Sequence, residues 1–257
     1  AESLAIMVPK MLKKGGRSNL PEFGETYAAW DAYIQSDAFL TYLSKITGIP
    51  DLLYDPEYIG AGIHENFQGS RGNIHIDYNY HPTTGFHRRL NVICYITPDW
   101  HPSYGGGLKV YESGRKPRSG IRKKIDCLFN RCVIFETTES SWHGVDSIIL
   151  PEELNDLTRK SITMYFYTKE RPEEETAPRH STIYYPGEVS DKFSEGYTLN
   201  AADVKDLTNF QARANALISN LYKEHSRLYE NTTKLRERIS KQNALIDRLK
   251  KMASSEV

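Results

Sequence analysis

His75 and Asp77 stand two residues apart in the stretch NIHIDY, whose β-branched and aromatic residues favour a strand. Alternate side chains of a strand share a face, so the imidazole and the carboxylate point one way while Ile74, Ile76 and Tyr78 point the other. A pair so placed can take two adjacent corners of a metal's coordination shell. A third ligand is offered by His143 in SSWHGVDS, after the apolar run RCVIFETT and just before a glycine. Structural zinc would want four closed ligands, usually with cysteines, and Cys94, Cys127 and Cys132 lack that spacing. A hydrogen-bonded His–Asp pair at a strand end has the same H-x-D signature, so a second signal has to decide.

Two histidines and a carboxylate on one face of an octahedron leave three positions open, which suits non-haem Fe(II). The second signal is TRKSITMYFYT, where Arg159, Ser161, Thr163 and Tyr165 share one strand face and Ile162, Met164 and Phe166 the other. An arginine on a buried face is costly without an anionic partner. That partner is either an internal carboxylate or a ligand carboxylate gripped by charge-assisted hydrogen bonds. Beside an iron site, the ligand must chelate at one end and carry an acid at the other, as 2-oxoglutarate does.

The ordered series H-x-D, YITPDW, GGGLKVY, WHG and RKSITMYFYT resembles the prolyl-hydroxylase-like branch of the Fe(II)/2-oxoglutarate dioxygenases, over roughly residues 60–170. The resemblance implies a double-stranded β-helix (jelly-roll) fold, with Fe(2+), 2-oxoglutarate and O2 as metal, cosubstrate and oxidant. It implies His75, Asp77 and His143 as the iron ligands and catalytic triad, and Arg159 and Tyr95 as contacts of the far carboxylate of 2-oxoglutarate. Ser161 and Thr163 fall beside Arg159, and His64 in AGIHEN falls one residue out of register with a cosubstrate contact. Arg88 matches a position near the substrate mouth, and Asn79, two residues after Asp77, is placed to line the pocket or orient the triad. Halogenating relatives replace the carboxylate with a small residue; Asp77 keeps it, which favours hydroxylation with release of succinate and CO2. Sixteen residues separate His143 from Arg159, more than in many relatives, so DSIILPEELNDLT is expected as an extra loop near the pocket. The motifs describe the cosubstrate end alone. The substrate is expected to be a small molecule or biosynthetic intermediate, or in the alternative a prolyl-type site in a protein; a third reading is a non-catalytic interaction module.

The elements that must position these residues form an α+β chain. Residues 1–60 read as mostly helical: Trp30, Tyr33, Phe39, Tyr42, Leu43 and Ile46 lie near helical spacing until Gly48-Ile49-Pro50 stops the pattern. Residues 60–170 hold short β-branched and aromatic runs separated by turn clusters such as HPTTG and PDWHPSYGGG. Residues 1–200 are therefore taken as the oxygenase domain and 201–257 as a C-terminal helical or coiled-coil segment. Its sevenfold series Leu207, Ala214, Leu221, Leu228, Leu235, Gln242, Leu249 is largely apolar, but Glu224, Asn231 and Arg238 interrupt the companion series from Phe210 to Met252. One helix or a helical pair follows, serving either a homodimer or partner docking through 203–252, or lying on its own or another domain.

The 33 basic and 33 acidic residues cancel, so bulk charge gives no reason to expect nucleic acid or an anionic membrane. No apolar run reaches the roughly 18 residues of a membrane span. An odd count of three cysteines, two of them in apolar runs, points to buried thiols in a reducing, cytoplasmic setting. The chain starts at Ala1 without an initiating methionine, which suits a processed product or a piece of a longer protein. His81, His87 and His101 sit in turn-rich stretches and are expected to serve loops; the basic stretch Arg115–Lys124 is expected at a solvated hairpin tip.

Overall fold

The computed structural model of the chain describes residues 20–112, 120–190 and 192–254, without the side chains of residues 247, 249 and 251–254. Of the expected N-terminal helical part, residues 1–19 lie outside that description. Residues 20–60 hold a 3-10 turn (Leu20–Phe23) and two helices, α1 (Glu25–Ile34) and α2 (Asp37–Thr47); residues 48–60 are turns and a short strand, so the helical part ends earlier than expected. The break falls at Ser36, whose hydroxyl accepts from the Phe39 N–H at 3.3 Å and so caps α2. Gly48 ends α2 with φ +73°, a left-handed conformation that a Cβ would strain.

Among the described residues ten strands follow: β1 (Leu53–Tyr54), β2 (Gly62–Asn66), β3 (Gly72–Ile76), β4 (His87–Tyr95), β5 (Leu108–Tyr111), β6 (Ile121–Ile125), β7 (Cys132–Glu136), β8 (His143–Val145), β9 (Arg159–Thr168) and β10 (Ile183–Tyr184). They make two antiparallel sheets. One runs β1–β9–β4–β7, with β2 also paired to β9; the other runs β10–β3–β8–β5–β6. The chain is thus a mixed helix-and-sheet protein with antiparallel sheets and a long C-terminal helix.

Strands β4 and β9 bury both faces. Leu90 and Val92 of β4, with Ile162, Met164 and Phe166 of β9, pack against Leu20, Ile34 and Leu43 on the helical side. On the other face Tyr95 joins Val133, Leu108, Cys127 and Ile148 in a second cluster, which spans the two sheets. Burying each of the large aliphatic or aromatic side chains is worth about 1.5–3 kcal/mol. All three thiols are free: Cys127 is buried, Cys94 half-buried and Cys132 exposed. The exposure of Cys132 corrects the expectation of uniformly buried thiols, because β7 is an edge strand with one open face.

Within the basic stretch, residues 115–119 lie outside the described ones, while Arg122, Lys123 and Lys124 form the exposed edge strand β6. The chain divides into two compact units, Ala1–Tyr185 and Pro186–Val257. The second carries α3 (Ala201–Ser254), one uninterrupted helix of 54 residues. Its start is fixed reciprocally: Asn200 Oδ1 accepts from the Asp203 N–H at 3.1 Å, and Asp203 Oδ2 accepts from the Asn200 N–H at 3.0 Å. Leu221, Leu228, Leu235, Ile239 and Leu245 along α3 are exposed. Among the described residues no helix is long and apolar enough to cross a membrane.

Ser36→Ala is expected to destabilise the fold by about 1 kcal/mol through loss of the α2 cap, read as a lower urea midpoint at unchanged slope.

Candidate functional site

The β3–β8 pairing sets His75 directly opposite His143 in register. Their rings lie 4.3 Å apart between centroids. Asp77 falls one residue beyond the end of β3, where the chain leaves the sheet. Its two oxygens sit 3.5 Å from His75 Nε2 and 3.5 Å from His143 Nε2. Ligand atoms from the three residues all lie within 4.8 Å of one another, and the group is the one metal-capable cluster among the described residues.

Each imidazole is oriented by the same device. His75 Nδ1 is 2.8 Å from the Asn73 carbonyl and His143 Nδ1 is 2.8 Å from the Ser141 carbonyl. A carbonyl can only accept, so both Nδ1 atoms carry the proton and both Nε2 lone pairs face Asp77, as metal-ligating histidines require. Two neutral imidazoles and one carboxylate on one side of a point fit Fe(II) with positions to spare.

Asp77 is buried, and burial alone would raise its pKa. The Arg88 charge foremost, then His143 and His75, outweighs that and holds the carboxyl well below the usual range. Arg88 Nη2 lies 3.1 Å from Asp77 Oδ2, and Asn91 Nδ2 donates to the same oxygen at 2.7 Å. Arg88 also donates to Asn91 Oδ1 through Nε at 3.1 Å and Nη2 at 2.7 Å. Its guanidinium is held between the rings of Tyr78 and Tyr165, at 4.4 and 3.4 Å from their centroids. Arg88, expected at the substrate mouth, is 1% exposed and bound to the triad's carboxylate. It therefore acts on Asp77: a bulge in β4 between Arg88 and Leu90, two residues of β4 against one of β9, puts Arg88 on the same face as Asn91. Asn91 itself escaped the sequence reading; its signal is one amide in the otherwise apolar run LNVICYI.

The second cluster gathers around Arg159. Antiparallel pairing of β2 with β9 sets Asn66 opposite Arg159, His64 opposite Ser161 and Gly62 opposite Thr163. Arg159 lies over the Tyr95 ring at 4.8 Å. Arg159, Ser161, Thr163 and Asn66 are all buried. Arg159 Nε, the Tyr95 hydroxyl, His64 Nε2 and both amide atoms of Asn66 are buried without a hydrogen-bond partner among the described residues. Native structures rarely leave so many buried polar atoms orphaned in one place. Donors of this kind around a guanidinium fit a bound carboxylate. Gly106 of GGGLKVY makes room for the arginine: a Cβ there would stand 2.8 Å from Arg159 Cδ. Asn66 is the other residue that sequence reasoning missed, and the alternation of His64 and Asn66 in IHEN was the available sign.

The remaining expected residues have other work. Asn79 donates to the Pro178 carbonyl at 3.0 Å and accepts from the His180 N–H at 3.0 Å, tying down the segment that leads into β10. Its side chain serves that strap. His81 is buried, 3.2 Å from Asp55 through Nε2, while its Nδ1 accepts from the N–H groups of Thr83 and Thr84. His101 caps a short turn by accepting from the Ser103 N–H. The loop expected at 146–158 reaches the Arg159 end, where Ile148 enters the inter-sheet core and pairs with Gly105.

Burial pushes His143 down to about 4, Asp77 working against the shift and His75 adding to it. Burial first, then the Arg159 charge, also pushes His64 down to about 4. In the unfolded chain both protonate near the ordinary value of about 6.5. Between about 6.5 and 4 the unfolded state therefore binds more protons than the fold. Stability is present in full above that window and is lost as pH falls through it, by on the order of 1–3 kcal/mol per histidine. His64→Gln is expected to flatten this slope, measured by urea titration of the metal-free chain at several pH values. Asn66→Ala should raise the apparent KM for 2-oxoglutarate roughly tenfold, the worth of one hydrogen bond to a charged group; an unchanged KM would remove Asn66 from the carboxylate cradle.

Residues 61–167 match the model of the 2OG-Fe(II) oxygenase superfamily. The mouse prolyl 3-hydroxylase OGFOD1 is 30% identical over 82 residues, which is 31% of this chain and 14% of that protein. This chain thus spans a small part of that relative's length. A Pseudomonas putida prolyl-4-hydroxylase structure aligns at 16% identity and a TM-score of 0.40, over 59% of this chain and 71% of that one. HygX from Streptomyces hygroscopicus, solved with nickel and 2-oxoglutarate, aligns at 12% identity and a TM-score of 0.40, over 65% and 78%. The resemblance read from the motifs is borne out: the matched segment contains the triad and Arg159.

Proposed function

We propose that this prolyl-hydroxylase-like oxygenase is an Fe(II)- and 2-oxoglutarate-dependent dioxygenase, built on a double-stranded β-helix core. In this reading it hydroxylates a C–H bond of a small-molecule or biosynthetic-intermediate substrate and releases succinate and CO2. The observation that carries the reading is that β4 serves two clusters at once. Its Asn91 bonds the triad carboxylate, and its Tyr95 lies under Arg159.

His75 and His143 would hold the metal through Nε2, and Asp77 through a carboxylate oxygen. Arg159, Tyr95 and Asn66 would hold the far carboxylate of 2-oxoglutarate, with Ser161, Thr163 and His64 lining the same wall. When bound, the ferrous ion and 2-oxoglutarate supply the oxidising power with O2. The chain's part is to orient both, to keep Asp77 ionised and to exclude water from the inter-sheet core. Residues 1–200 would form the catalytic region. The three free thiols support a reducing, cytoplasmic setting.

A second reading, a protein hydroxylase acting on prolyl-type sites, is favoured by the match to a prolyl 3-hydroxylase. Succinate release stimulated by proline-containing peptides and by no small metabolite would select it.

His75→Ala or Asp77→Ala should abolish succinate formation, and Arg159→Ala should raise the 2-oxoglutarate KM by roughly a hundredfold or more, given about 3 kcal/mol for a desolvated charged pair. Full turnover in either triad variant with iron bound would refute the assignment. The exposed apolar residues of α3 support self-association through 203–252. Sedimentation of the chain with and without residues 203–257 should give a dimer only for the longer form; identical monomers would rule the dimer out.

A further inference from the structure

Strands β4 and β7 bring two thiols face to face outside the site. Cys94 and Cys132 are register partners on this antiparallel pair. Tyr95, the next residue of β4, takes the ladder bonds, donating to the Arg131 carbonyl at 3.0 Å and accepting from the Asn130 N–H at 2.9 Å. Ladder bonds alternate along an antiparallel pair, so Cys94 and Cys132 occupy a non-hydrogen-bonded position, where Cα atoms stand about 4.5 Å apart and side chains are closest. That spacing lies inside the roughly 4.4–6.8 Å range that a disulfide spans.

The surroundings differ for the two sulfurs. Cys94 is half-buried and packs beside the helical core, whereas Cys132 is exposed on an edge strand. The two thiols interact, which lowers the Cys132 pKa, and the same contact, with burial second, raises that of Cys94. Cys127, the third thiol, is buried and donates to the Gly105 carbonyl at 3.3 Å.

We propose that Cys94 and Cys132 form a reversible dithiol–disulfide couple, oxidised by hydroperoxides, that staples edge strand β7 to β4. The accessible Cys132 thiolate attacks the terminal peroxide oxygen. The S–O bond forms, the O–O bond breaks, and the leaving alkoxide or hydroxide takes a proton. Cys94 then attacks the Cys132 sulfenic sulfur; the S–S bond forms, the S–O bond breaks, and water leaves with the thiol's proton. Two thiols and one hydroperoxide give one disulfide, one alcohol (or water) and one water. The chain loses two electrons and two protons, and a thiol reductant reverses the change.

The test uses the full chain in a metal chelator, titrated with tert-butyl hydroperoxide, then alkylated and mapped by peptide mass. The expected product is one intramolecular link between the Cys94 and Cys132 peptides, formed at one equivalent of peroxide and removed by dithiothreitol, with Cys127 alkylated throughout. Cys132→Ser should leave Cys94 alkylatable at the same doses. The proposal fails if Cys132 proceeds to sulfinic acid while Cys94 stays a thiol, if the link joins Cys127 or a second chain, or if Cys94 oxidises equally in the Cys132→Ser variant. None of these outcomes depends on the oxygenase reading.

Discussion

A carboxylate taken out of water between two sheets has to be compensated, and the architecture around Asp77 follows from that requirement. Removing an ionised group from water costs several kcal/mol unless charge and hydrogen bonds replace the hydration. Arg88 and Asn91 supply both from β4, while Tyr78 and Tyr165 sandwich the guanidinium and fix its plane. The result is a carboxylate held ionised, with Oδ2 fixed by Arg88 and Asn91 and both oxygens near the imidazoles. Each imidazole is in turn locked by a backbone carbonyl two residues earlier in the chain. The triad is thus built from three side chains that have little rotational freedom left.

The Arg159 end is organised on the opposite principle. There, among the described residues, buried donors stand without partners: Arg159 Nε, the Tyr95 hydroxyl and the Asn66 amide. A buried donor or acceptor left without a partner costs about 1–3 kcal/mol. An anion bearing several acceptors would recover that cost on binding and gain the guanidinium's charge besides. The lowered pKa of His64 belongs to the same logic, since a neutral ring beside Arg159 adds no further positive charge to a pocket already carrying one.

Strand β4 ties the two ends together. Its inward residues Asn91 and Tyr95 meet the triad and the arginine, and its outward residues Leu90 and Val92 sit in the helical core. Packing of α1 and α2 against that core therefore bears on the geometry of the site, although neither helix contributes a residue to it. The pair Cys94–Cys132 lies on the same strand's outward face, so its chemistry is separated from the site by the thickness of one sheet.

The period of two in NIHIDY and RKSITMYFYT determined which side chains share a face, and so which histidine, carboxylate and arginine were candidates. Local chemistry likewise determined the α2 stop at Gly48 and the helical character of 203–252, because turn conformation and helix period depend on neighbours in the chain; that α3 is one helix and not a pair was read from the structure. The partnering of distant segments was decided by tertiary structure alone. The register of β3 with β8 set His143 opposite His75, and that of β2 with β9 set Asn66 opposite Arg159. Arg88 shows the difference most clearly: its place in the sequence marks it as polar and near the site, but only the bulge where β4 pairs with β9 decides that it turns toward Asp77. Strand register is a long-range property, fixed by which faces can be buried together, and no window of neighbouring residues contains it.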